Sequence, residues 1–380
     1  MDFSYTEEQQ LIQKTAREFA KEHLAPGVIE RDEKAEFPKE QLKMFGELGF
    51  MGMMIPEKWS GAGLDTISYC IAMEEICSVD ASMGVIMSVN NCLVCHLLYK
   101  YANNDQREKY LKKLASGEWL GAFSLSEPQS GSDASNMLAF AQKDGDHYII
   151  NGTKNWVSNG ISSDVVIIFL MTEKGIGYKG ISTLIVEKGT PGFSHGKKED
   201  KLGIRGSDTC ELYFEDCRVP VENLIGAEGK GFKIALSTLD GGRIGIASQA
   251  LGIARAALDR SVEYAKERKQ FGKTIGSFGA IQDKIATMAT NVDASRMLIH
   301  RAAKLKDEGK PFRREAAMAK VFASQTAMDA ATDCVQIFGG YGYMQEYGVE
   351  RLMRDAKITQ IYEGTSEIQQ LVIAKSVLGN

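Results

Sequence analysis

Glu363 lies between Tyr362 and Gly364 at the end of an apolar approach, in the segment 354–366 (RDAKITQIYEGTS). A carboxylate in such surroundings can be desolvated, which favours its neutral form and lifts its pKa to where it works as a general base. Upstream, 336–342 reads QIFGGYG, and its glycines let backbone approach a ligand closely. The segment 123–133 (FSLSEPQSGSD) places hydroxyls and backbone amides where an apolar run turns polar. Such a loop can meet the edge of a flat heterocycle and a phosphate-like oxygen. In 154–160 (KNWVSNG) a tryptophan sits among amide and hydroxyl side chains. It can stack on a ring while its neighbours meet the ring's polar edge. Taken singly, each segment also has a plain reading: a surface turn, a half-buried core tryptophan, a solvated glutamate.

Other patterns are weaker. Cys92-Leu-Val-Cys95-His96 matches CxxCH, the c-type haem attachment pattern, but it lies on an apolar-striped helix where small buried thiols are common. Residues 175–180 (GIGYKG) spell GxGxxG, yet a strand-like run follows where a dinucleotide site needs a helix, so a hairpin turn is expected. Ser124 and Ser126 lack the GxSxG elbow of a hydrolase. The five histidines show no zinc spacing, and seven scattered cysteines read as reduced thiols.

The elements that must hold these segments fall into three parts. Residues 1–119 read as helical: Thr6 and Gln9 make a capping box, and Val85, Val89, Leu93, Leu97 and Tyr101 recur every four residues. Residues 120–228 carry short Val-, Ile- and aromatic-rich runs separated by glycines, the pattern of an antiparallel β domain. In 229–380 the helical period returns. Ile281, Ile285, Met288, Val292 and Met297 predict one face, and Met318, Val321, Met328 and Val335 another, as in a four-helix bundle. The fold class is therefore α+β with three parts, helical, β and helical.

The chain has 380 residues and a net charge of -5, which gives no sign of a nucleic-acid partner. No apolar run reads as a membrane span, and the first residues lack the character of a leader peptide, so a cytoplasmic location is expected.

Together and in this order, the segments resemble the acyl-CoA dehydrogenase family over essentially the whole chain. Segments 200–207 (DKLGIRGS) and 239–252 (LDGGRIGIASQALG) are similar to its short-chain, butyryl-CoA type. The resemblance implies FAD as cofactor, a homotetramer that shares FAD across subunits, and an electron-transferring flavoprotein as partner. It implies that Glu363 takes the substrate's α-proton while the β-hydride goes to flavin N5. Phe123, Leu125, Ser126, Trp156 and Ser158 would meet the flavin. Arg268 and Phe271 would reach a neighbour's FAD, Gln336, Gly339 and Gly340 its adenosine half, and Thr365 and Glu367 would add contacts. Ser132, Asp240, Arg243 and Gly364 would hold the acyl-CoA. No metal is implied. Gly279 departs from the family, many of whose members carry glutamine there, and Ser126 stands where several have threonine. Some relatives carry the base in the helix that here holds Gly241 and Gly242, which cannot serve. Gly84 matches the position where glutaryl-CoA members carry an arginine. Alternatives are an acyl-CoA oxidase of the same fold, a dehydrogenase for medium or branched chains, a non-catalytic flavin- or CoA-binding protein, and a haem carrier resting on Cys92–His96 alone.

Overall fold

The computed structural model describes residues 4–379. Residues 1–3, part of the segment read as lacking leader character, and residue 380, the end of the third part, lie outside the described residues.

The first helix, α1 (Glu7–Phe19), starts as the sequence predicts: Gln9 N donates to Thr6 Oγ1 and Thr6 N to Gln9 Oε1, both at 3.2 Å. Helices α2 (Thr66–Cys77) and α3 (Ala81–Tyr101) are apolar and buried. Helix α3 is long and apolar enough to cross a membrane, but 94% of its apolar window is covered by the protein itself. Over Val89–Cys95 it widens into a π-helical stretch. Cys92 and Cys95 lie inside the core there, as expected of packed thiols, and burial pushes the pKa of His96 down to about 3.

The middle part is one sheet with strands β1 (Gly121–Ser124), β2 (Phe140–Asp144), β3 (His147–Ser158), β4 (Val165–Met171), β5 (Ile181–Glu187), β6 (Phe193–His195) and β7 (Thr209–Pro220). Its order is β1-β4-β2-β3-β7-β6, with β5 also on β4. The expectation of an antiparallel domain needs correction: β1 and β2 each pair with β4 in parallel, and the sheet is mixed. A two-residue turn joins β2 and β3 and residues 172–180 join β4 and β5, both as antiparallel hairpins, whereas β1 leaves into the long loop 125–139. The GxGxxG segment is the β4–β5 connection, as read. Every residue of β4 is buried, because one sheet face packs in its own core and the other joins the helical core.

The last part holds α4 (Gly231–Glu267), α5 (Gly279–Asp307), α6 (Arg313–Phe338), α7 (Val349–Thr359) and α8 (Ser366–Leu378). The face expected on α6 is displaced. Met318, Val321, Met328 and Val335 are only partly buried, while Ala316, Ala319, Ala323, Ala327 and Ala330 are fully so. Small side chains let α6 approach α4 closely, and bulkier ones turn outward. Met297 on α5 is likewise 42% exposed. Ion pairs staple the parts together: Arg255 of α4 and Arg296 of α5 reach Glu75 and Glu74 of α2, each at 2.8 Å. Ile204 N donates to Asp355 Oδ1 at 2.6 Å, fixing the loop before β7 to α7.

Candidate active site

The loop 360–365 joins α7 to α8 and is tied down on three sides. Ser366 N donates to Gln360 O at 2.9 Å, closing the loop on itself. On the α4 side, Tyr362 Oη donates to Gln249 Oε1, and Gln249 Nε2 donates to Ala81 O at 2.9 Å. On the α6 side, Lys320 Nζ donates to Gly364 O at 2.6 Å. Gln369 Nε2 donates to the same carbonyl at 3.1 Å, and Thr365 caps α8 by accepting from Ile368 N at 3.3 Å. So constrained, Glu363 is held at φ +53°, a conformation a non-glycine residue adopts at a cost of about 1–3 kcal/mol.

The strain aims the side chain inward. Glu363 Oε2 is buried and has no hydrogen-bond partner among the described residues. It lies over Gly242 of α4, where a Cβ would meet Oε2 at 2.1 Å and Leu93 Cδ2 at 2.8 Å. Glycine at 242 is therefore what leaves room for the carboxylate. Burial raises the carboxyl's pKa from 4.5 to about 7, against the opposing pull of Lys320 and Arg243. A carboxylate poised near neutrality, with an unused lone pair, can accept a proton from a bound molecule. The Glu363 backbone N–H makes no hydrogen bond among the described residues and is free to donate.

Arg243 is 3% exposed, bonds Asp240 Oδ1 at 2.6 Å and faces Glu363. The sequence reading places it, with Asp240, among the contacts to the acyl-CoA. Ser132 is exposed on the loop after β1, and Glu367 is exposed in the first turn of α8.

A second group gathers at the ends of β1 and β3. Phe123 packs on Phe169 at 4.9 Å, followed by the half-buried Leu125 and Ser126. Asn155 N donates to Ser126 O at 2.9 Å, so the two segments singled out in the sequence adjoin. Between Lys154 and Val157 the β3–β7 register slips, and this bulge turns Trp156 outward at φ +59° with 63% exposure. Ser158, at the end of β3, is half-buried. Beneath lies a fully buried ion pair, Lys154 Nζ to Glu127 Oε1 at 2.8 Å.

A third group is on the outer side of the helical part. Arg268, Phe338, Gly339, Gly340 and Tyr341 line a cavity of about 420 Å³. Gly339, at φ +62° and ψ -135°, occupies a region closed to residues with a side chain. Gln336 is exposed one turn before it. Phe271 and Gly272, both at positive φ, form the tip of a small hairpin, and Phe271 is 92% exposed. A Cβ at Gly279, where many relatives carry glutamine, would meet nothing within 4 Å.

Sequence reasoning missed Lys320, Gln249, Gln369 and the Lys154–Glu127 pair. One signal was present: Lys320 sits four residues after Ala316 and three before Ala323, on the face the alanines define.

The chain matches three family profiles: acyl-CoA dehydrogenase, N-terminal domain (residues 6–118), middle domain (122–217) and C-terminal domain (229–378). It is 50% identical to an acyl-CoA dehydrogenase, short-chain specific, of Clostridium acetobutylicum, covering 99% of this chain and 100% of the relative. The structure of butyryl-CoA dehydrogenase from Megasphaera elsdenii aligns with TM-score 0.98 at 49% identity, over 100% of both chains. A chain in a structure described as the electron transferring flavoprotein of Acidaminococcus fermentans, concerned with flavin-based electron bifurcation, aligns with TM-score 0.99 at 51% identity, again over 100% of both.

Proposed function

The chain belongs to the acyl-CoA dehydrogenase family, and from that premise we propose that it converts short straight-chain acyl-CoA, butyryl-CoA foremost, to the trans-2-enoyl-CoA. It is an FAD-dependent oxidoreductase, and its electrons pass to an electron-transferring flavoprotein.

The observation that carries the mechanism is the buried, unpartnered Oε2 of Glu363, on a carboxyl whose pKa is near 7. Glu363 removes the α-proton. Its free backbone N–H donates to the thioester oxygen, where negative charge grows as the proton leaves; one such donor is worth a few kcal/mol. Gly242 keeps the space in which the carboxylate meets the substrate. Arg243 and Lys320 keep the carboxyl from being held protonated, and Asp240 orients Arg243. Ser132 and Gly364 add contacts to the acyl-CoA.

The residues fit FAD on three counts. Trp156 is turned out by a bulge that leaves its ring uncovered. Ser124 Oγ is buried without a partner among the described residues, beside half-buried Leu125 and Ser126. Gly339 and Gly340 leave open backbone beside Arg268. Phe123, Leu125, Ser126, Trp156 and Ser158 would hold the flavin ring, with Thr365 and Glu367 at its other side. Arg268, Phe271, Gln336, Gly339 and Gly340 would serve a neighbouring subunit's FAD, in the homotetramer that the family resemblance implies. The uncovered Phe271 supports that arrangement, since nothing in its own chain accounts for its exposure. FAD, when bound, supplies the acceptor for the β-hydride. The division at 119/120 and 228/229 and a cytoplasmic location belong to the same proposal; the seven cysteines, all free and buried, support the latter.

The short-chain preference is supported by the 50% identity to a short-chain specific relative, and Gly84, which supplies no cation for a distal carboxylate, argues against a dicarboxylate substrate. Turnover on a ladder of acyl-CoA lengths tests it. Activity should peak near C4, with a broad optimum because each methylene changes binding by only about 0.8 kcal/mol. A preference for C12 or longer, or for glutaryl-CoA, would contradict it.

A further inference from the structure

Lys320 has no exposed surface and projects from the alanine face of α6. A buried ammonium is costly unless something compensates it. No carboxylate among the described residues lies within ion-pair distance of it; its hydrogen bond is to Gly364 O at 2.6 Å, the carbonyl that Gln369 also holds. A neutral donor would suffice to satisfy a carbonyl, so the charge itself needs a reason.

We propose that Lys320 is a positioning residue for the reaction: its ammonium, clamped on the Gly364 carbonyl behind the base, fixes the strained peptide that carries Glu363 and keeps the carboxylate in its proton-accepting form. The proposal rests on Glu363 being the base. The charged and titratable groups facing Glu363 are few. Arg243 comes from α4, and its charge is already offset by Asp240 at 2.6 Å. Cys92 comes from α3, a thiol pushed up to about 11 by burial and so neutral in the working range. Tyr362 is adjacent in the chain, its hydroxyl raised far above 10 by burial. Lys320, from α6, is the cation that no carboxylate among the described residues pairs with, and besides Glu363 the exposed Glu367 acts on it. Burial lowers its own pKa to about 8, which still leaves it charged near pH 7.

Two variants of the holoenzyme separate charge from clamp. Lys320→Gln retains a donor for Gly364 O without the charge; Lys320→Met removes both. The readout is the pH dependence of flavin reduction by limiting butyryl-CoA, measured anaerobically by stopped flow, which reports the ionisation of the free enzyme. Lys320 is the leading charge that opposes the effect of burial on Glu363, and an opposite charge favours a carboxyl's ionised form, so the acid limb of Lys320→Gln should move up by about one pH unit. At pH 9 its rate should approach wild type, while Lys320→Met stays at least about tenfold lower because the peptide is unclamped. An acid limb left in place in Lys320→Gln, or a fall uniform across pH in both variants, overturns the proposal. So does full recovery of Lys320→Met at pH 9. If Lys320→Met fails to retain FAD, the Lys320→Gln limb decides alone. A Glu363→Gln enzyme that still reduces its flavin would instead refute the base itself, so the two failures are distinguishable.

Discussion

Replacing Glu363 by Gln should make the protein more stable while it destroys activity. The folded-state pKa of about 7 lies above the ordinary 4.5 because the carboxyl is buried. A carboxyl shifted that way favours folding when protonated: the contribution is complete below about 4.5 and is lost as pH rises through about 7. At pH 8 the wild type therefore carries a penalty of about 3 kcal/mol for a buried charge that glutamine never bears. At pH 5 the penalty is about 1 kcal/mol. The assay is thermal unfolding of both holoproteins at equal FAD and equal scan rate, at pH 5 and pH 8. At this chain length each kcal/mol is worth on the order of 1–2 °C, so the variant should melt several degrees higher at pH 8 and only slightly higher at pH 5. No gain at pH 8, or a gain independent of pH, would show that Glu363 is not held desolvated, and the argument for its basicity would fall with it.

Two further substitutions probe the surroundings. Gly242→Ala puts a methyl group 2.1 Å from where Oε2 now lies, so the carboxylate must move; flavin reduction should slow by about 10²-fold with FAD content unchanged, and a normal rate would show that the Glu363 geometry is not needed. Arg268→Ala should weaken FAD retention and the tetramer together, since charge-assisted bonds to phosphate are strong; gel filtration and flavin absorbance that both match wild type would remove Arg268 from the cofactor site.

The loop around Glu363 stood out in the sequence because its signals are local: an apolar approach, a glutamate, then a glycine. The capping box at Thr6 and the buried stretch of α3 were legible for the same reason, since helical periodicity and cap chemistry act within a few residues. What was hidden depends on distant partners. The parallel pairing of β1 with β4 is set by where the long loop returns the chain, which strand composition does not encode. On α6 the large residues suggested the wrong face, because close approach to α4 selects alanine over methionine and valine. Gly242 reads as a weak point in a helix until Glu363 is seen above it. Lys320 reads as a solvated lysine until the Gly364 carbonyl comes within 2.6 Å. Trp156 was marked as a ring-stacking residue, but the bulge that turns it outward is a feature of register.

Flavin bleaching followed in a stopped-flow instrument shows whether Glu363 is the base. Butyryl-CoA is mixed anaerobically with wild type and with Glu363→Gln, both loaded with FAD, so that reoxidation by the partner plays no part. Glutamine keeps the side chain's shape and the backbone donor and removes only the proton acceptor. Bleaching should be slower by at least about 10²–10⁴-fold, the range typical of a lost general base, with butyryl-CoA binding retained. Bleaching within about tenfold of wild type would contradict it and turn attention to Asp240, the other carboxylate beside Arg243.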